Sequence, residues 1–199
     1  MFSKALVALP FLAFALAAAK PAPVGAPPMP SITAPAEVVA NSANRLTLDL
    51  SNGGTIVIQM RPDLAPHHVE RVQTLVRQGF YNGLTFHRVI SGFMAQGGDP
   101  KGTGEGGSSL PDLKAEFTSL PFLRGTVAAA RKGDNVDSAN SQFFIMFVPN
   151  AELAGQYTIW GRVISGMDTV DAIAPGEPPS DPTKIVRAYL GDTAAVPSK

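Results

Sequence analysis

The chain of 199 residues contains no cysteine, which excludes disulfides, thiolate catalysis and cysteine-type zinc sites. It has no net charge, because Lys+Arg and Asp+Glu each total 16, so no global field draws it to nucleic acid. Its one long apolar run, Ala5 to Ala19, contains Pro10 and falls short of the ~20 apolar residues that a spanning helix prefers. No H-E-x-x-H or G-x-S-x-G motif occurs, so neither zinc-protease nor serine-elbow chemistry is signalled. The glycine-rich "GTGEGG" at 102–107 lacks the Gly-Lys-Ser/Thr ending of a phosphate cradle and reads as a flexible connection. His67 and His68 are adjacent on an expected helix, so they point to different faces and cannot chelate one ion. They are expected to be exposed, and His87 to be a satisfied strand histidine. Neither a metal nor a cofactor is expected.

Apolar residues make up 45% of the chain, with 18 prolines and 19 glycines, which suits a β-rich or loop-rich body around a core. "MFSKALVALPFLAFALAAAK" combines an early lysine, an apolar stretch and small residues at Ala17-Ala18-Ala19, the pattern of a cleavable secretory signal over 1–19. An uncleaved anchor is the alternative. The expected location is periplasmic or secreted, with no stable membrane insertion after signal removal. Residues 20–44 are rich in Pro and Ala without a period and read as a disordered spacer. A folded domain is expected over 45–191 and a loose tail over 192–199.

Within that domain "RLTLDL" and "TIVIQM" alternate on either side of Asn52-Gly53, which predicts a hairpin. "APHHVERVQTLVRQG" places Val69, Val72, Leu75 and Val76 on one helical stripe behind Pro66,. Further strands are expected in "LTFHRVI", "GFMAQGG", "GTVAAA", "SQFFIMF", "YTIWGRVI" and "TKIVRAYL", and a second helix in "GMDTVDAIA". Many short strands with two helices indicate a closed β-barrel or a sandwich.

The stretch "FHRVISGFMAQGGD", 86–99, sets Arg88 and Gln96 among bulky apolar residues. On a regular strand Phe86 and Arg88 share a face and His87 opposes them. A cation beside an aromatic ring in a barrel core needs a partner. Spacing leaves two readings open: a structural pair with Asp99 or Glu116, or a donor at the open face of the barrel beside an apolar pocket.

"FHRVISGFMAQGGDP…GTGEGG" together with "ANSQFFI" resembles the cyclophilin family of peptidyl-prolyl cis–trans isomerases, and the order of elements matches from about Arg45 to Leu190. The resemblance implies an all-β fold, an eight-stranded antiparallel barrel capped by two α-helices. It implies an enzyme that accelerates rotation about X-Pro bonds, places the family's catalytic arginine on Arg88, and matches Gln96 to a polar site residue. Phe93, Met94, Phe144 and Leu153 match walls of the proline pocket, and Gln142 a residue near the substrate backbone. Ala130 and Arg131 match the segment flanking the residues before proline. Tyr157 falls where many members have histidine. Three departures stand out: Glu152 where well-known eukaryotic members have a tryptophan that contacts cyclosporin, which implies weak binding of that drug; Arg131 for an asparagine; and Ala129 for a bulkier residue, which would open the adjacent specificity pocket. The implied partners are proline-containing peptides and unfolded protein clients, and the implied state is a monomer. A non-catalytic peptide-binding module is the rival, and a hydrolase is more distant for want of a nucleophile.

Overall fold

The computed structural model describes residues 31–191. The expected signal segment, the first part of the spacer and the expected tail lie outside the described residues. Eight strands form one antiparallel sheet: β1 Arg45–Leu50, β2 Thr55–Met60, β3 Phe86–Ile90, β4 Met94–Gly97, β5 Thr126–Ala129, β6 Phe143–Met146, β7 Ile159–Ser165 and β8 Ile185–Leu190. Their order is β3-β4-β6-β5-β7-β2-β1-β8. The two end strands meet where Thr85 bridges Lys184. There the Phe86 amide donates to Thr183 O at 2.9 Å, and the Ile185 amide donates to Leu84 O at 2.8 Å. This contact closes the sheet into a barrel and removes its free edges, the usual liability of an open sheet.

Side-chain alternation produces two apolar clusters. The inner one fills the barrel with Leu46, Leu48, Ile56, Ile58, Phe86, Phe143, Ile145 and Trp160. Phe143 sits at its centre, edge-on to Tyr81, Phe86 and Trp160. Helix α2, Pro66–Arg77, adds Val69, Val72, Leu75 and Val76 to that core, and α3, Met167–Asp171, adds Val170. The outer cluster lies on the opposite face of β4, β5 and β6 and comprises Met94, Leu120, Phe122, Ala128, Phe144, Met146 and Ile159.

The chain differs from its sequence reading before Arg45. Residues 31–44, read as disordered spacer, contain helix α1, Ala36–Ala40, and a 3-10 turn over Ser42–Asn44. Val38 is buried, and Asn44 Nδ2 donates to its carbonyl at 3.1 Å. The buried Arg61 guanidinium donates to Ile32 O at 3.0 Å and Ser31 O at 2.8 Å while pairing with Asp63. Proline-rich composition disfavours autonomous structure, but here the barrel supplies the hydrogen-bond partners.

His67 is exposed, as expected, but the other two histidines differ. His68 is buried, and its Nδ1 lies 2.6 Å from Glu116 Oε2. The same carboxylate accepts from the amides of His67 and His68, first-turn donors that have no partner inside α2. Burial is the main cause holding the His68 pKa below its ordinary value. His87 is buried as well, and its ring nitrogens make no hydrogen bond of ordinary geometry among the described residues, only weak polar contacts with Gln142 and Thr85. Burial likewise lowers its pKa, against the pull of Asp99.

Candidate active site

Strand β3 does not alternate regularly. Phe86 pairs with Gly97 and Arg88 with Gln96, so two steps on β3 match one on β4. The extra residue is His87, and the result is a β-bulge, a device that re-aims a side chain. Phe86 turns inward against Phe143, while Arg88 falls in register with Gln96 on the outer face, and Gln96 in turn with Phe144. Phe86 and Arg88 therefore do not share a face. The expected conflict between a buried ring and a cation disappears because they lie on opposite sides of the sheet.

Neither expected partner of Arg88 is available to it. Glu116 caps α2, and Asp99 is enclosed by its own loop. Asp99 accepts from the amides of Lys101 at 2.7 Å, Thr103 at 3.0 Å, Gly104 at 2.7 Å and Gly106 at 3.1 Å. Burial pushes its pKa up, but these four donors outweigh it and the net direction is down,. The glycine-rich loop is thus wrapped around an internal carboxylate rather than open to an external phosphate. Arg88 instead donates from Nε to Glu177 Oε2 at 2.7 Å, and its terminal nitrogens have no hydrogen bond among the described residues.

The loop carries a chain of amides to the arginine. Gln142 Nε2 donates to Gly104 O and to Gly106 O, both at 2.8 Å. Gln96 Nε2 donates to Gln142 Oε1 at 2.8 Å, and Gln96 is the strand neighbour of Arg88. Beside this polar row stands the outer apolar cluster that holds Met94 and Phe144, with Phe93, Ala130, Leu153 and Tyr157 packed against it. Tyr157 meets Phe144 edge-on with ring centroids 5.4 Å apart, and Phe122 stacks on Phe144 at 6.2 Å. Of the residues expected at the site, Phe93, Met94, Ala130, Phe144, Leu153 and Tyr157 belong to or pack on this cluster, Gln96, Ala130, Arg131 and Gln142 line one groove, and Arg88 is in register with Gln96. Arg131 serves largely as a brace: its guanidinium lies 4.8 Å over the Tyr157 ring, and it donates to the carbonyls of Lys132, Gly133 and Gln156.

Next to the apolar wall runs a groove of about 510 Å³ lined by Gln96, Ala130, Arg131, Asn140, Gln142 and the 104–108 segment. Ala129, expected to open a specificity pocket here, is instead buried in the inner cluster and does not line this groove. The two serines on the groove wall are engaged elsewhere: Ser108 Oγ donates to Asn140 Oδ1, and Ser138 Oγ to Asn135 O. Neither is bonded to a histidine, so no activated hydroxyl faces the groove. Phe122 and Glu177 are the site residues that sequence reasoning missed. Both sit in aperiodic loops, where neither spacing nor motif marks them.

A barrel that carries an outer apolar cluster, an adjoining groove and a guanidinium whose terminal nitrogens are unbonded among the described residues is built like a peptide-binding protein. The family described as cyclophilin type peptidyl-prolyl cis-trans isomerase/CLD matches residues 45–190. A probable peptidyl-prolyl cis-trans isomerase of Brucella suis is 48% identical over 167 residues, covering 76% of this chain and 84% of the relative. The human peptidyl-prolyl cis-trans isomerase-like 1 is 39% identical over 145 residues, covering 68% and 86%. Among solved structures, a cyclophilin from Hirschia baltica superposes with a TM-score of 0.69 at 28% identity, over 75% of this chain and 74% of that one. A cyclophilin-type isomerase from Cryptosporidium parvum, crystallised in the presence of the dipeptide Ala-Pro, gives 0.69 at 26% identity, over 75% and 99%. The chain belongs to the cyclophilin-type peptidyl-prolyl cis–trans isomerase family. Its reaction is rotation about X-Pro peptide bonds.

Proposed function

We propose that Arg88 supplies the donor that stabilises the twisted amide, while Phe93, Met94, Phe144 and Leu153 hold the proline ring. Rotation about an amide is opposed by roughly 18–20 kcal/mol because the nitrogen lone pair is shared with the carbonyl. Before proline the two isomers are close in energy but exchange slowly. No bond breaks, so neither nucleophile nor metal is required. In the twisted state the nitrogen becomes pyramidal and recovers its lone pair. A guanidinium aimed at that nitrogen then binds the transition state better than the planar ground state, the only kind of binding that accelerates the step.

Gln96 has one amide hydrogen engaged with Gln142 and, in this reading, offers the other to the rotating carbonyl. Gln142, Ala130 and Arg131 border the groove that takes the residues before proline, and Tyr157 closes the pocket over Phe144. The observation that carries the proposal is the shared outer face of Arg88, Gln96 and Phe144. The test is turnover of an X-Pro peptide by Arg88→Ala. Losing its donors is expected to cost ~3 kcal/mol, about a hundredfold in kcat/KM, by analogy with one oxyanion-hole donor. Near-normal turnover with an intact fold would sink the assignment.

The physiological setting proposed is outside the cytoplasm, in the periplasm or secreted, where the monomeric enzyme speeds the folding of exported, proline-containing clients. The basis is the signal-like pattern of residues 1–19,. A mature protein whose N-terminal sequence still began at Met1 would contradict it.

A further inference from the structure

Arg88 is held by a residue that no motif marks. Glu177 lies 89 positions further along the chain, in the connection between α3 and β8. That connection is tied to the strand that carries the arginine. The Val89 amide donates to Gly176 O at 2.8 Å, and the Gly176 amide returns a bond to Val89 O at 2.9 Å. Gly176 has φ +143°, and a Cβ there would lie 2.6 Å from Pro179 Cα, so the turn of the loop that presents Glu177 requires glycine at 176. Carboxylate and guanidinium are each presented one residue away from a reciprocal backbone bridge.

We propose that Glu177 is a positioning residue for Arg88. It grips the guanidinium at Nε and leaves both terminal nitrogens directed at the bound amide. The inference rests on the reading of Arg88 given above. An arginine stem has several rotatable bonds, and Arg88 and Glu177 have side chains 42% and 51% exposed, so without a partner the head group would sample many directions. An exposed pair adds little to stability and is weakened by salt. Its consequence here is orientational: the fraction of molecules with the donors correctly aimed. Exposed pairs bias such populations by about two- to fivefold. Because the held orientation matters only once the amide twists, the effect belongs to kcat rather than to KM.

The experiment measures kcat and KM of the full chain on an X-Pro peptide for wild type, Glu177→Ala and Glu177→Gln, each at low and high salt, with a urea midpoint for every variant. Glu177→Ala should lower kcat about two- to fivefold, with KM and the urea midpoint unchanged. Glu177→Gln, whose side-chain carbonyl can still accept from Nε, should recover part of the loss. Raising salt should lower the wild-type kcat towards that of Glu177→Ala and leave the variant flat. Unchanged kcat in Glu177→Ala, or a loss confined to KM, would overturn the proposal. An inactive Arg88→Ala beside a fully active Glu177→Ala would remove only this inference, whereas an active Arg88→Ala would remove the reading beneath it.

Discussion

The tightest steric constraint near the site is at Gly106, and one methyl group there tests how the polar row is held. A Cβ built on Gly106 would lie 1.9 Å from Asp99 Oδ1 and 2.9 Å from Asp99 Cγ. The carboxylate cannot swing aside cheaply, because it accepts from four backbone amides. The loop at 106 must therefore lift. Lifting breaks the Gly106 amide bond to Asp99 and the Gln142 bond to Gly106 O. A bond to a charged acceptor is worth about 1.5–3 kcal/mol and a neutral one about 1 kcal/mol, but this loop borders solvent and water replaces part of both. A destabilisation of about 1–2 kcal/mol follows for Gly106→Ala, a shift of roughly 1 M in the urea midpoint for an ordinary slope. Gln142 loses one of its two anchors, so Gln96 is held less firmly and kcat should fall as well. Gly133→Ala is the control: nothing lies within 4 Å of its Cβ and its φ is not positive, so it should be neutral to within ~0.5 kcal/mol. If the two variants had the same midpoint and kcat, the enclosed carboxylate would not be what holds the loop.

Stability should also depend on pH through the buried histidines. His68 and His87 both have pKa values lowered chiefly by burial, so as pH falls past about 6.5 the unfolded chain takes up protons before the native one does. The stabilisation is complete above that value and is lost as pH falls towards the native pKa values. Melting temperature should drop between pH 7.5 and pH 5, and His68→Gln should make the drop shallower; an equally steep drop in that variant would assign the dependence elsewhere. The segment before β1 gives another test. Removing residues 1–44 takes away Val38 and two of the carbonyls that satisfy Arg61, whereas removing 1–30 leaves them. The longer deletion should be less stable by about 2–4 kcal/mol in urea unfolding; equal midpoints would mean that the segment rests on the barrel without supporting it.

The first hairpin was legible because alternation records which face is buried: Leu46, Leu48 and Leu50 point inward, as do Ile56, Ile58 and Met60, while β5 and β6, buried throughout, were legible as short apolar runs. The helices at 66 and 167 were legible from apolar spacing and, for the first, from Pro66 at its first turn. The outer apolar cluster was legible in part through family resemblance, since Met94 and Phe144 fall in motif-bearing strands. Phe122 and Glu177 were not, because each reaches the site from a loop whose course is set by barrel closure rather than by a local period.

The bulge at His87 was the most consequential misreading, and it has a local cause. Opposite the Phe86-His87-Arg88 step lies Gly97, where a Cβ would sit 3.2 Å from Phe86 Cδ1. A side chain there would press on the Phe86 ring and on Thr85 O, and glycine leaves the ring room to settle inward over β4. The extra residue then rotates Arg88 outward. A strictly alternating strand would bury the guanidinium beside Phe86 in an apolar core, where an unpaired charge is very costly. The bulge avoids that cost and sets the same cation at the rim of the outer cluster, half exposed, with Gln96 at its side and Glu177 behind it. Stability and the role proposed for Arg88 thus make the same demand of this step: the ring goes in and the cation goes out, and Gly97 gives the ring its room.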